Sequence, residues 1–116
     1  MSVTQALLCF TTLPDEAAAT RLARELVEAH LAACVNVLAP ARSVYRWQGA
    51  VQEEAEVPLV IKTSAECYPA LETFIRQNHP YELPEIVAVQ VAHGLPAYLD
   101  WLTAATHSAA RRSPQR

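Results

Sequence analysis

Residues 34–63 read CVNVLAPARSVYRWQGAVQEEAEVPLVIKT, and the alternation of polar and apolar positions in this stretch decides the fold. Cys34 to Leu38 reads as a strand, Pro40 as a bend or bulge in it, and Ser43 to Trp47 resumes it with Tyr45 and Trp47 on one face. Gln48-Gly49 supplies the turn. From Val51 onward, Val51, Glu53, Ala55, Val57, Leu59 and Ile61 alternate with Gln52, Glu54, Glu56, Pro58, Val60 and Lys62, the period of two expected of a returning antiparallel strand. Pro58 weakens that pattern locally, because it has no N–H to give to a ladder. The stretch is a long β-hairpin.

Upstream of it, Ala6-Leu7-Leu8-Cys9-Phe10 is a short continuous apolar run, the pattern of a central strand covered on both faces, or on one face plus a subunit contact. Pro14 suits the first turn of a helix, and Asp15 and Glu16 place negative charge at the positive end of its dipole. This helix is predicted to run to about Leu31, with Ala18, Leu22, Leu26 and Ala29 as its apolar stripe. Arg21 with Glu25 and Arg24 with Glu28 form outward pairs four residues apart. Downstream, Ser64 is the expected N-cap of a second helix carrying Cys67, Leu71, Phe74 and Ile75, which Pro80 ends. Glu85 to Val91 alternates as a fourth strand, and Gly94 and Pro96 introduce a last helix with Tyr98, Leu99 and Leu102. The order βαββαβ followed by a helix specifies the α+β class and the split βαβ pattern of a ferredoxin-like sandwich.

With 116 residues, 52% of them apolar, the chain has material for one core, and two cores of half that size would each be marginal. Residues 1–107 are assigned to a single domain and 108–116 to a disordered tail. The tail holds the one concentration of charge, Arg111, Arg112 and Arg116, and is read as a frayed terminus. A formal charge of -3 with the other basic residues scattered gives no footprint for nucleic acid. Three cysteines, an odd count with no signal peptide ahead of them, indicate reduced thiols and a cytoplasmic location. No apolar run approaches the ~18 residues of a membrane span, so no membrane is expected.

The hairpin also argues for self-association. Arms of ~14 residues span roughly 45 Å at ~3.3 Å per residue, whereas a first helix of ~17 residues covers only about 25 Å. A two-stranded ribbon carrying Val44, Tyr45, Trp47 and Val51 would project beyond the helical layer. Such ribbons need a defined partner, and identical subunits closing on one another supply it. The opposite reading has Pro40 break the strand and the ribbon fold back on its own domain.

The segments Ala32-Ala33-Cys34-Val35-Asn36, Ser43 to Gly49, Glu54-Ala55-Glu56, Ile61-Lys62-Thr63, His79 to Ile86 and Tyr98 to Leu102, in this order and spacing, resemble the CutA divalent-cation-tolerance family. The resemblance covers about residue 6 to residue 103. It implies a cytoplasmic homotrimer of ferredoxin-like subunits, similar in architecture to the PII signalling proteins, with a role in tolerance of divalent metals and copper the ion usually named. In copper-binding members, the resemblance implies, the ligands are two adjacent histidines before a Pro-Tyr pair and a cysteine ending the first strand. Here His79 keeps the second histidine, while Asn78 and Thr11 occupy the other two positions.

Cysteine and histidine are the side chains that suit copper. His30, His79, His93 and His107 stand apart, with no CxxC or HxxxH spacing. His79 is the best metal candidate, since Tyr81, Glu82 and Glu85 follow within six residues and offer oxygen donors. Cys9, on the same strand face as Thr11, is a substitute ligand. Trp47, Glu54, Lys62, Tyr81 and Glu85 are expected to line a cleft between subunits, where a PII-like sensor would take a small anionic metabolite. A trimer without any ligand is the third reading. Glu82 and Glu85 lie three apart like an acid/base set, but no nucleophile elbow or phosphate loop accompanies them, so the chain is read as no enzyme and as needing no organic cofactor.

Overall fold

A computed structural model describes residues 5–107; the expected tail, 108–116, lies outside the described residues. The elements in chain order are β1 (Ala6–Leu13), α1 (Glu16–Glu28), β2 (Cys34–Val37), β3 (Ala41–Trp47), β4 (Ala50–Ser64), α2 (Tyr68–Asn78), β5 (Val87–Gln90) and α3 (Pro96–Ala105). The return arm of the hairpin is one continuous 15-residue strand, β4, which pairs antiparallel with β1, β2 and β3. The main sheet runs β2-β4-β1-β5, with β3 paired to the outer half of β4. This is the antiparallel sheet of a ferredoxin-like fold, with β1 and β4 at its centre.

Period-two alternation then sorts the side chains. Cys9, Leu13, Leu59 and Ile61 point to one face and pack beneath Leu22 and Leu26 of α1 and Leu71 and Ile75 of α2. Leu8, Phe10, Val60, Val87 and Val89 share the opposite face through the cross-strand pairs Leu8↔Val89 and Phe10↔Val87, with Val60 opposite Phe10. On that second face Val87 and Val89 are each 51% exposed. The outer half of the hairpin is also largely exposed, including Val44 and Val51. Burial along β4 begins only at Glu56.

Several boundaries differ from the sequence reading, each for a local reason. Pro40 does divide the outgoing arm, leaving β2 in the main sheet and β3 beyond it. Pro58 leaves β4 unbroken, and its carbonyl accepts from the Leu38 N–H at 3.0 Å. Strand β1 continues to Leu13, three residues past Phe10. Asp15 is the N-cap of α1, its side chain accepting from the Ala18 N–H at 2.8 Å. That helix stops before Leu31 because His30 takes a left-handed φ of 63°. His30 N–H then reaches Val27 O and Leu31 N–H reaches Leu26 O, both at 3.0 Å, a Schellman stop without its usual glycine. The buried stripe is Ala19, Leu22, Ala23 and Leu26, rotated slightly from the expected one.

Ser64 ends β4 rather than capping α2, although its Oγ accepts from the Cys67 N–H at 3.3 Å. Cys67 precedes the helix with no side-chain cap bond, and Pro69 sits in the first turn. Strand β5 covers only Val87–Gln90, shorter at each end than the alternation from Glu85 to Val91 predicts. Among the described residues the ion pair within 4 Å is Arg42 with Glu53, at 3.6 Å and well exposed, not the expected pairs on α1.

Candidate functional site: an acidic, aromatic cleft

Register puts the hairpin's chemistry on one face. The pairs Ala41↔Glu56, Ser43↔Glu54, Tyr45↔Gln52 and Trp47↔Ala50 are each directly opposite, so Tyr45, Trp47, Glu54 and Glu56 all point the same way. Tyr45 lies diagonally across from Glu54, and its hydroxyl donates to Glu54 Oε1 at 2.9 Å. Glu56 is only 8% exposed, and its carboxylate faces the Tyr81 phenol. Together with the loop Pro80 to Glu85, this face encloses a cleft of about 750 Å³. The cleft opens on the side of the sheet that α1 and α2 leave bare.

His79 fastens the loop wall. It ends α2, and its Nε2 lies 2.7 Å from the Thr12 carbonyl, while its Nδ1 accepts from the Tyr81 N–H at 3.1 Å. A nitrogen that accepts at Nδ1 and an oxygen that can only accept at Thr12 leave one consistent tautomer, neutral with the proton on Nε2. The ring also tilts against Tyr81, with centroids 4.8 Å apart. Both nitrogens are therefore engaged in holding the end of α2 to β1 and Tyr81 to its place in the cleft.

The electrostatics follow from burial and from the two carboxylates. Burial, then the Glu56 carboxylate, pushes the Tyr81 phenol far above its ordinary value. The Glu54 hydrogen bond raises Tyr45. Both phenols stay protonated and donate. Burial lowers His79, opposed in part by the Thr12 carbonyl and by Glu56. A histidine depressed in the folded state contributes stability that is complete above its unfolded value of about 6.5 and is lost as pH falls through the lower folded value. The denaturation midpoint should thus decline between pH 7 and pH 5, and His79→Gln should flatten that decline; an identical slope in both proteins would show that His79 does not titrate this way.

Of the residues singled out from sequence, Trp47, Glu54, Tyr81 and Glu85 meet in the cleft. Within one copy Lys62 does not line it. Six residues along β4 from Glu56, or roughly 20 Å at ~3.3 Å each, Lys62 instead bonds Asn36 Oδ1 and lies 3.9 Å from Cys34 Sγ. Cys9 is wholly buried in the core, its thiol pushed up to about 12 by burial and, secondarily, by Glu72 and Glu85. Thr11, on the same face, is buried with a hydroxyl that finds no partner. Sequence reasoning missed Tyr45 and Glu56 as cleft residues, although each is two positions from a residue it did name, Trp47 and Glu54. Among the described residues, no three His, Cys, Asp or Glu side chains converge on a single metal-sized point.

The family model of the CutA1 divalent ion tolerance protein matches residues 7–105. The chain belongs to this family. It is 44% identical over 99 residues to mouse Protein CutA, covering 85% of this chain and 56% of that protein, so it spans little more than half the length of that mammalian relative. Among solved structures, the divalent cation tolerance protein of Thermus thermophilus superposes with a TM-score of 0.86 at 43% identity, covering 88% of this chain and 99% of that one. CutA from Xylella fastidiosa gives 0.85 at 45% identity, covering 88% and 98%. No helix among the described residues is long and apolar enough to cross a membrane.

Proposed function

We propose that this CutA-family chain acts as a cytoplasmic homotrimer that binds divalent metal ions, copper foremost, in the response to metals, and that it is a binding protein rather than an enzyme. The observation that carries this reading is the carboxylate- and phenol-lined cleft opening beside a bare apolar sheet face. A neighbouring copy laid on that face would cover Leu8, Phe10, Val87 and Val89 and would border the cleft. Because no three donors converge within the described residues of one copy, a metal site would be completed by donors from the next. His79 of one copy with oxygens of Glu54, Tyr81 or Glu85 brought by the next suits the oxidised copper ion. Ligation by His79 would exchange one of its two present hydrogen bonds for the metal. Cys9 would serve only after giving up a strongly held proton inside the core, which makes it the lesser ligand.

Light scattering on the purified chain should return three times 12.8 kDa; a stable particle of one subunit mass sinks the trimer. Calorimetric titration with Cu(II) should saturate near one ion per subunit and lose that signal in His79→Ala. Heat identical to buffer for the unsubstituted protein would remove direct metal binding, leaving a trimer whose link to metals is indirect.

A further inference from the structure

The cleft has a size, a sign of charge and a wall chemistry that a bare metal ion does not require. We infer that it accepts an organic polyammonium ion, a short aliphatic diamine or polyamine, held by the Glu54 and Glu56 carboxylates against the rings of Tyr45, Trp47 and Tyr81. The inference deepens the reading of the cleft as the functional site and rests on it, but it does not rest on copper.

Size comes first. A volume of about 750 Å³ falls in the ~300–1,000 Å³ range of pockets that hold small organic molecules, and the dispersed carboxylates provide no three-donor cage among the described residues. Charge sign comes next. Four carboxylates, Glu54, Glu56, Glu82 and Glu85, line the cleft, and Arg46 is the single cation among the lining residues. An anionic metabolite would enter against that field of one copy, whose own Lys62 is bonded to Asn36 away from the cleft.

Wall chemistry then selects an amine. Three aromatic side chains face the same space, and ring faces attract ammonium groups that approach within about 6 Å. The Tyr45 hydroxyl gives Glu54 one hydrogen bond, and the Tyr81 phenol faces Glu56. Each carboxylate keeps acceptor positions for further N–H donors. Glu54 and Glu56 stand two residues apart on one strand face, roughly 6.6 Å at ~3.3 Å per residue, which matches two ammonium groups separated by a few methylenes. The tyrosines fix the carboxylates before any ligand arrives, so less side-chain freedom is lost on binding.

The test uses the full chain with spermidine as the probe at low ionic strength, read by calorimetry, by the melting temperature and by tryptophan fluorescence. Expected are a saturable heat, a rise in melting temperature and a fluorescence change that disappears in Trp47→Phe. Affinity should fall roughly tenfold or more in Glu54→Gln/Glu56→Gln, which removes both charges that would pair with the ligand, the buried one on Glu56 and the exposed one on Glu54. Sodium chloride at matched ionic strength and ATP should give none of this. The inference is overturned if spermidine acts no differently from sodium chloride, if the double variant binds it unchanged, or if ATP is the better ligand. Solution mass separates the two readings. A trimer that ignores spermidine removes the amine alone, and a monomer that binds it through Glu54 and Glu56 keeps the amine and removes the trimer.

Discussion

Val87→Glu combined with Val89→Glu is expected to reduce the proposed homotrimer to single subunits of 12.8 kDa while leaving the circular dichroism spectrum unchanged. Both valines are half exposed on an edge strand and point away from the helices, so the subunit loses no core contact when they become charged. In an assembly that covers this face, each new carboxylate would be taken out of water without a partner, and an unpaired buried charge costs several kcal/mol after relaxation. Two per subunit, repeated around a closed ring, exceed what an interface of ordinary quality supplies. Size-exclusion chromatography with light scattering reads the outcome directly. A variant that kept the mass of a trimer would show that copies meet through some other surface.

Ile61→Ala is expected to cost about 2–5 kcal/mol, the range for truncating a fully buried Leu or Ile. Ile61 is wholly buried on the central strand, opposite both Cys9 and Val35. It packs in the same cluster as residues of α1 and α2. Neighbours on β1, β2, α1 and α2 cannot all move inward, so the space stays largely open. Against a typical total stability of about 5–15 kcal/mol, that is a large fraction. Urea denaturation at fixed subunit concentration measures it, because the proposed assembly would tie apparent stability to concentration. A shift below about 1 kcal/mol would mean that the core collapses around the missing atoms.

The elements were legible wherever periodicity alone sets them. The alternation from Val51 to Ile61 specified β4, and the apolar run at Ala6 to Phe10 specified a central strand, because burial by neighbours on both sides leaves that imprint. Ends were less legible. His30 adopts a conformation usually left to glycine, so the close of α1 carried no composition signal. In the cleft, residues on one strand face were readable from spacing, as with Glu54 and Trp47. The Tyr45–Glu54 bond was not, since a diagonal pair depends on register, which the turn fixes and sequence does not print. Lys62 and Glu56 are six positions apart on one strand, and a strand carries residues apart faster than a helix does, so within one copy the lysine stands roughly 20 Å from the cleft's carboxylates. The role of His79 as a two-sided fastener depends on Thr12, 67 positions away, and no local pattern reports such a partner.

The placement of β1 has a consequence for biosynthesis. Its two neighbours are β4 and β5, and the first pairing, Ala6 with Ser64, joins residues 58 positions apart. A nascent chain emerging from the ribosome therefore carries Ala6-Leu7-Leu8-Cys9-Phe10 without a strand to zip onto until more than half of it has been made. During that interval the segment is unpaired apolar backbone, and the time taken to make residues 11–64 sets how long it stays so.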